Sequence, residues 1–140
     1  MKVKFKKLNP IAETPVRGSA AAAGYDLMAT SCKWNSDTQI MEYGTGIAVE
    51  IPAGYFGLVC SRSSVCNTGL ILSNGSGIID SDYRGEIKAK FYRHEIGETY
   101  DIGERFLQLI ILPLPDIEFE ESDQLSTSVR GEGGYGSTGK

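Results

Sequence analysis

The sequence predicts an all-β protein, either a β-sandwich or a β-barrel. Apolar residues fall in short runs, and each run is bounded by Gly, Pro, Asn, Asp or Ser. The chain contains 17 glycines, which supply turns between the runs. Many short strands at near-regular spacing, with no internal repeat, indicate this fold class. At 140 residues, the chain is long enough for one domain with a hydrophobic core.

The predicted strands follow one another closely along the chain. Residues 3–8 alternate, with Val3 and Phe5 on one face, and residues 45–51 alternate in the same way. At most one short helix is expected, over residues 63–68. Further strands are predicted at residues 55–60, 70–72, 86–92 and 106–112.

The end of the chain differs in composition from the rest. Strand patterns stop near Pro115, and residues 116–128 are polar and acidic, as in a linker. We therefore predict a barrel domain at residues 1–115. Residues 116–140 are predicted to be a linker and a flexible C-terminal arm that closes over a site in this chain or in a neighbouring one.

The overall charge and the N-terminus exclude several classes of protein. A net charge of −4 argues against a nucleic-acid backbone as the main partner. Basic residues near Met1 are not followed by an apolar stretch, so no signal peptide is expected. No run reaches the length of a transmembrane helix. We expect a cytoplasmic protein without a membrane partner.

Cysteine and histidine offer little metal chemistry. Cys32, Cys60 and Cys66 are odd in number and lack the spacing of a metal site. We expect them to be small buried apolar residues in a reducing compartment. The lone His94 rules out a site built from several histidines, and we expect it on the surface.

The C-terminal arm carries the groups that a nucleoside polyphosphate requires. Glycines such as Gly136 let backbone N–H groups approach an anion. Ser137 and Thr138 add hydroxyl donors, and Arg130 adds a planar guanidinium. Tyr135 offers a face for stacking a base. The arm has no core of its own, so the rest of the site must lie elsewhere.

Three other interpretations of the arm remain open from composition. A Gly/Ser-rich end is often only flexible. Residues 134–140 match the start of a P-loop, but the required Ser/Thr and helix do not follow. An RGG-like RNA-binding tail is disfavoured by its single Arg130 and the nearby Glu132.

Two internal motifs are also candidates for chemistry. In residues 77–86, Asp80 follows a short strand, where a carboxylate is placed to act as a general base for water, with Tyr83 beside it. Ordinary turn chemistry explains the same residues. In residues 61–69, Ser63 and Ser64 begin the predicted helical turn beside a cationic side chain at position 62, as in a phosphate site. N-capping by Ser63 is the alternative.

Five motifs, in order, resemble those of the trimeric dUTP pyrophosphatases. They are Ala-Gly-Tyr-Asp-Leu, Ser-Arg-Ser-Ser, Gly-Ile-Ile-Asp-Ser-Asp-Tyr-Arg-Gly-Glu, Gly-Glu-Arg-Phe-Leu-Gln-Leu-Ile and Arg-Gly-Glu-Gly-Gly-Tyr-Gly-Ser-Thr-Gly. The resemblance runs from about Leu8 to Lys140, and the third and fifth motifs are the most specific. Ser61 stands where the family often has proline, and Tyr135 where it usually has phenylalanine.

The resemblance implies a jelly-roll-like β-barrel, a homotrimer with shared sites, and hydrolysis of dUTP to dUMP and pyrophosphate. This dUTP diphosphatase activity limits uracil in DNA and supplies dUMP for thymidylate synthesis. Asp80 matches the general base, and Tyr83 the residue that packs under the deoxyribose. Asn74 and the Gly77–Ile79 backbone match the hairpin that reads uracil.

The resemblance also assigns the phosphate end of the substrate. Asp26 matches an acidic residue near Mg²⁺, which is held mostly by phosphates and water. The matched triphosphate contacts are Arg62, Ser63, Ser64 and Gln108. The matched arm residues are Arg130, Tyr135, Gly136, Ser137 and Thr138.

Two rival functions share this fold. A dCTP deaminase carries a catalytic glutamate where Lys90 stands here, and it lacks the Asp82-Tyr83 pair. A nucleotide-gated regulator that binds a protein partner is the second rival, and the sequence does not exclude it as an additional task.

Overall fold

The computed structural model describes residues 1–137. Within that range the chain is almost entirely β-structure, with a single 3₁₀ helix at Ser63–Asn67. The strands are β1 (Lys4–Lys7), β2 (Tyr25–Met28), β3 (Ser31–Asn35), β4 (Ile40–Gly44), β5 (Ile47–Glu50), β6 (Tyr55–Ser61), β7 (Leu70–Leu72), β8 (Gly77–Ile79), β9 (Lys88–Arg93) and β10 (Arg105–Pro113). The predicted all-β class and the single short helix are confirmed.

Two four-stranded antiparallel sheets form the barrel. One has the order β2-β10-β6-β8 and the other β3-β4-β9-β7, while β1 and β5 form a separate pair. Both larger sheets contribute to one buried cluster, so the sheets close over a common core. This arrangement is the jelly-roll-like barrel that the family resemblance implies.

Aromatic side chains fill the centre of the core. Tyr43 on β4 lies 5.8 Å from Phe91 and 5.2 Å from Phe106, measured between ring centroids. The Tyr43 hydroxyl donates a hydrogen bond of 3.1 Å to the carbonyl oxygen of Tyr100. Burial, together with the adjacent Cys32, raises the pKa of Tyr43 to about 12. The phenol therefore stays neutral and acts as a hydrogen-bonded core residue.

The β3–β4 hairpin is the main element that the sequence did not predict. All residues of Ser31–Asn35 are exposed, so β3 lacks the apolar alternation that marks a half-buried strand. The turn after β3 is built locally, because the Asn35 side chain accepts hydrogen bonds from the backbone N–H groups of Asp37 and Thr38 at 3.0 and 3.2 Å.

The prediction that the cysteines are buried is wrong for this chain. Cys32 and Cys66 are exposed, Cys60 is half-buried, and all are free thiols. Cys32 lies on β3, all of whose residues are exposed, although its thiol also contacts the buried Tyr43. His94 is exposed, as predicted. Among residues 1–137, no helix has the length and apolarity needed to cross a membrane.

The chain leaves the barrel after Pro113. Residues 114–137 contain no strand, and nearly all of their side chains are exposed. The backbone hydrogen bonds of residues 128–137 close small turns within that segment. Apart from the N–H of Leu114, which donates to the carbonyl oxygen of Gly54 at 2.8 Å, residues 114–137 make no backbone hydrogen bond to the barrel.

Candidate functional site

Three strands of one sheet bring together the residues predicted to bind phosphate. In β10, Gln108 pairs with Asp26 of β2 on one side and with Cys60 of β6 on the other. Gln108 also packs over Gly24, since a Cβ there would lie 2.7 Å from the Gln108 side-chain oxygen. Arg62 directly follows β6. We call the set Asp26, Arg62, Ser63, Ser64 and Gln108 the phosphate cluster.

Asp26 is the buried anion at the centre of this cluster. Its side chain is 8% exposed, and its carboxylate lies 3.2 Å from Nε of Arg62 and 3.9 Å from a guanidinium nitrogen of Arg105. Arg62 also donates a hydrogen bond of 2.9 Å to the carbonyl oxygen of Arg105. The sequence did not single out Arg105, although it lies within the fourth motif. Its contact with Asp26 appears only in three dimensions.

The guanidinium of Arg62 is incompletely satisfied. Its Nε is buried and makes no hydrogen bond with residues 1–137, because the contact with Asp26 is an ion pair without hydrogen-bond geometry. A buried cationic donor without an acceptor is costly. Nε faces the Asp26 carboxylate, and it is the exposed third of the Arg62 side chain that is suited to an incoming anion.

The short 3₁₀ helix places the two serines beside Arg62. Its N-cap residue is Arg62, and no side chain caps it, so the alternative of capping by Ser63 is not observed. The Ser64 hydroxyl is 2.9 Å from that of Tyr100. Tyr100 had no signal in the sequence, because it comes from a loop 36 residues away.

The residues predicted to read uracil line a separate cavity of about 390 Å³. Asn74, Gly77 and Ile79 contribute to it, as does the apolar side chain of Val59. A Cβ on Gly77 would make only ordinary van der Waals contacts, at 3.6 Å from the Val59 side chain and 3.7 Å from the Asn74 amide nitrogen. The cavity combines an apolar wall with amide and backbone groups, as small-molecule sites do.

An ion-pair network that the sequence analysis missed also borders this cavity. Lys88 lies 3.3 Å from Glu42 and 3.7 Å from Glu86, and Lys90 lies 3.5 Å from Glu42. Partial burial opposes ionisation of Glu42, yet the two lysines hold its pKa below the ordinary value. Glu42 in turn raises the pKa of Lys88. Glu42 and Lys88 therefore both stay charged at neutral pH.

The loop after β8 presents Asp80 and holds Tyr83. The backbone N–H of Tyr83 donates to the carbonyl oxygen of Asp80 at 3.1 Å, and the Tyr83 hydroxyl donates to the carbonyl oxygen of Glu86 at 3.0 Å. A Cβ on Gly85 would overlap the Tyr83 ring. The ring is thus held flat over the loop, while Asp80 remains exposed to solvent.

A single chain does not bring Asp80, the predicted general base, close to the phosphate cluster. Ile79 pairs with Gly57, which places Asp80 beside Phe56 near the start of β6. Arg62 follows the far end of the same strand. Six strand residues span about 20 Å, so Asp80 and Arg62 lie at opposite ends of β6.

The described arm residues form hydrogen bonds with one another rather than with Asp80 or the phosphate cluster. Arg130 donates from Nε to the carbonyl oxygen of Gly133 at 2.8 Å, and the backbone N–H of Ser137 donates to Gly134 at 3.0 Å. Tyr135 is fully exposed and has a positive φ of 52°, next to Gly136 at 91°. Turns of this kind direct successive N–H groups outward. Thr138 lies outside the described residues.

The chain offers few groups for a metal ion. Among residues 1–137, no group of three or more His, Cys, Asp or Glu side chains has the arrangement of a metal site. Asp26 is the carboxylate of the phosphate cluster, and two arginines already neutralise it. This donor set fits Mg²⁺ only if phosphates and water supply most ligands, which is the coordination Mg²⁺ prefers.

Comparisons with known sequences identify similar proteins. A sequence model of the dUTPase family matches residues 11–139. The chain is 40% identical over 146 residues to the deoxyuridine 5'-triphosphate nucleotidohydrolase of Escherichia phage T5, covering 98% of each chain. It is 41% identical over 143 residues to the protein of the same name from Nautilia profundicola, covering 100% of both.

The fold is also similar to solved structures. The dUTPase of Staphylococcus bacteriophage 80alpha with dUPNHPP has a TM-score of 0.84 and 29% sequence identity, and the match covers 99% of both chains. The description of that structure states that phage dUTPases control the transfer of virulence genes by a proto-oncogenic G protein-like mechanism. A mutant of the same phage enzyme with dUpNHpp gives the same TM-score.

Proposed function

Since the chain belongs to the dUTPase family, we infer that it hydrolyses dUTP to dUMP and pyrophosphate in active sites shared between subunits. The relatives that carry this activity in their names match the chain over almost its whole length. The products, the residue roles and the assembly described below are our proposals.

The observation that carries the shared site is the placement of Asp80 and Arg62. About 20 Å of β6 separates them, so Asp80 of one subunit must act on phosphates held by another. The arm residues add a third part without an anchor on its own barrel. A homotrimer places three equivalent copies of each part in closed symmetry.

Asp80 acts as the general base in this scheme. Its exposed carboxylate accepts a proton from the water that attacks phosphorus, and the leaving group is pyrophosphate. Phosphoryl chemistry depends mainly on positioning and on stabilising charge. One base and many phosphate donors are therefore sufficient.

The cavity beside Asn74 binds uracil, and Tyr83 packs against deoxyribose. Tyr83 cannot easily withdraw, because its hydroxyl is bonded to Glu86 and its ring lies against Gly85. A 2′-hydroxyl would therefore meet the ring. The backbone of Gly77–Ile79 would reject the methyl group of thymine by steric conflict with the bound base, which discriminates better than an apolar pocket.

The phosphate cluster binds the triphosphate. Arg62 supplies a guanidinium that is about a third exposed, and Ser63, Ser64 and Gln108 supply further donors. Asp26 orients Arg62 through their ion pair. Mg²⁺, when bound by the substrate, supplies charge neutralisation on the phosphate oxygens, with Asp26 contacting it through water.

The arm closes the site. Arg130, Ser137 and Thr138 would donate to the outer phosphate, with the Gly136 backbone beside them, and Tyr135 would stack on the base. Closure excludes bulk water and strengthens every electrostatic interaction in the site. In the described chain, Tyr135 is free to make such a contact because its side chain is fully exposed.

In the cell, this activity would limit uracil incorporation into DNA and supply dUMP, and the protein would act in the cytoplasm. Deamination of dCTP is disfavoured, since Lys90 stands in place of the required glutamate and is paired with Glu42. A regulatory task through a protein partner remains a proposal that hydrolysis does not exclude.

The direct test measures pyrophosphate release from dUTP and ammonia release from dCTP with the purified protein and Mg²⁺. We expect pyrophosphate from dUTP and no ammonia from dCTP. Ammonia from dCTP without pyrophosphate from dUTP would overturn the assignment. Light scattering on the same sample tests the trimer, and a monomer that is active at high dilution would contradict the shared site.

A further inference from the structure

The phosphate cluster meets the aromatic core of the barrel at two points. The backbone N–H of Arg62 donates to the carbonyl oxygen of Phe106 at 3.2 Å, and the Ser64 hydroxyl lies 2.9 Å from that of Tyr100. The rings of Phe106 and Tyr100 also pack against each other, with their centroids 6.0 Å apart. The core therefore holds both the arginine and one serine of the cluster.

The 3₁₀ helix Ser63–Asn67 has few other attachments to the barrel. None of its residues is fully buried, and no side chain caps its N-terminus. Val65 packs against the core, but an apolar contact does not orient a neighbouring hydroxyl. Within residues 1–137, the contact between Ser64 and Tyr100 is the only hydrogen bond made by a side chain of this helix. Tyr100 is therefore the group that orients the Ser64 hydroxyl.

Tyr100 is itself held firmly in the core. It is buried, its ring lies 6.4 Å from that of Tyr43, and its carbonyl oxygen accepts a hydrogen bond of 3.1 Å from the Tyr43 hydroxyl. Among the described residues, its own hydroxyl pairs only with Ser64. Because an unpaired buried hydroxyl is costly, this contact is favoured over an open one. The core thus presents a fixed hydroxyl to the helix.

A bound phosphate decides which of the two hydroxyls donates. In the chain alone, either Ser64 or Tyr100 could be the donor. Ionised phosphate oxygens accept hydrogen bonds and do not donate them, so a serine that binds phosphate must direct its single proton to it. The Ser64 oxygen then accepts from Tyr100. The bound state has one order of donation, from Tyr100 to Ser64 to phosphate, and each bond polarises the next.

We propose that Tyr100 is a positioning residue for the triphosphate: its hydroxyl donates to Ser64 and thereby directs the Ser64 proton toward the phosphate oxygens. This inference rests on the proposed function, because it assigns a role at the phosphate cluster of the same site. Tyr100 does not contact the substrate in this scheme, so its whole effect on activity passes through Ser64. That requirement distinguishes it from a residue that only supports the fold.

A double-mutant cycle tests whether the effect passes through Ser64. Tyr100→Phe keeps the ring and removes the hydroxyl, so kcat/KM for dUTP should fall roughly three- to tenfold, the scale of one hydrogen bond. In a Ser64→Ala background, which lacks the partner hydroxyl, the same substitution should change kcat/KM by less than about twofold. A fall of equal size in both backgrounds, or no fall in either, would overturn the proposal.

Tyr43→Phe is the matched control for this cycle. It removes a phenol hydroxyl from the same aromatic cluster, but that hydroxyl bonds the backbone of Tyr100 and not Ser64. Any effect of Tyr43→Phe on kcat/KM should therefore be the same with and without Ser64. All variants are assayed well below their measured melting temperatures, so that loss of folded protein does not contribute to the rates.

Calorimetry with a non-hydrolysable dUTP analogue repeats the cycle without turnover. Tyr100→Phe should raise the dissociation constant of the analogue when Ser64 is present, and should have no further effect once Ser64 is Ala. An equal rise in both backgrounds would contradict the proposal. A wild-type protein that binds the analogue but does not hydrolyse dUTP would refute the proposed function, and this binding cycle would still test the role of Tyr100.

Discussion

Nε of Arg62 lies 3.2 Å from the Asp26 carboxylate, yet the two groups do not form a hydrogen bond. Asp26 is nearly buried, whereas about a third of the Arg62 side chain is exposed. The ion pair and the hydrogen bond from Arg62 to the carbonyl oxygen of Arg105 therefore hold the guanidinium in place. Its exposed part can still meet an anion, which is how a stable barrel can also present a phosphate site.

Asp26→Asn should loosen this arrangement. The substitution keeps the shape and removes the countercharge, so Arg62 is left partly buried without its anion. We expect a loss of about 1–3 kcal/mol in the free energy of unfolding, at the low end because Arg62 is partly exposed. Denaturant unfolding checks this, with Asp37→Asn as the exposed control. Equal stability of the two variants would contradict the structural role of the pair.

Asp80→Asn should separate binding from chemistry. The amide keeps the size of the side chain but does not accept the proton, so dUTP should bind with nearly normal affinity. Turnover should fall by about 10²–10⁴-fold. Single-turnover kinetics and calorimetry on one preparation measure the two effects. Asp82→Asn, two residues away, is the matched control, and wild-type turnover in Asp80→Asn would remove Asp80 from the role.

Tyr83 should determine the choice of sugar. Because its ring is fixed against Gly85, the wild-type enzyme should favour dUTP strongly over UTP, and Tyr83→Ala should reduce that preference. Tyr83→Phe loses the bond to Glu86 but keeps the ring, and should retain most of the preference. The ratio of kcat/KM for dUTP and UTP is the measurement. A similar ratio in all three proteins would show that another group excludes the 2′-hydroxyl.

Deletion of residues 130–140 should abolish most activity and leave the barrel intact. The hydrogen bonds of residues 130–137 stay within residues 128–137, so the melting temperature should change little. Tyr135→Ala should weaken dUTP binding by about 1–3 kcal/mol if the ring stacks on uracil, and Tyr135→Phe should be nearly silent. Mixing arm-deleted chains with Asp80→Asn chains should restore some activity. Full activity in the deletion would mean that the tail is only a flexible end.

The ion pair of Lys88 and Glu42 should give a specific pH dependence. The pKa of Glu42 is held below 4.5, so the contribution of the ion pair to the free energy of unfolding is complete above that pH. It is lost as the pH falls through the lowered pKa. The pKa of Lys88 is raised above 10.5, so the contribution is also lost as the pH rises through that raised value. Between these limits, Lys88→Gln should cost about 0.2–1 kcal/mol, since both groups are partly exposed.

Thermal unfolding of Lys88→Gln and wild type across this range is the measurement. The difference in melting temperature should disappear in strong acid, where Glu42 is protonated in both proteins. Lys33→Gln, on the exposed strand β3, is the control and should show no such dependence. A difference that persists unchanged in acid would exclude the ion pair as its cause.

Much of the fold was readable from local pattern, because strands with a buried face are rich in apolar residues and are bounded by turn residues. Residues 45–51 alternate and contain β5, and the apolar run 106–112 lies within β10. Strand β3 was missed because none of its residues is buried. Motif order supplied Asp80 and Arg62, but Arg105, Tyr100 and Lys88 contribute through contacts between distant segments, which no local pattern records.

The last strand of the chain occupies the middle of its sheet. β10 lies between β2 and β6, so β6 is paired only with β8, and β2 with no strand of this sheet, until residue 113 has been synthesised. During translation, β2 and one edge of β6 therefore remain unpaired, and such edges are prone to aggregation. Premature stop codons before Pro113 should give insoluble fragments, whereas stops beyond it should give soluble barrels.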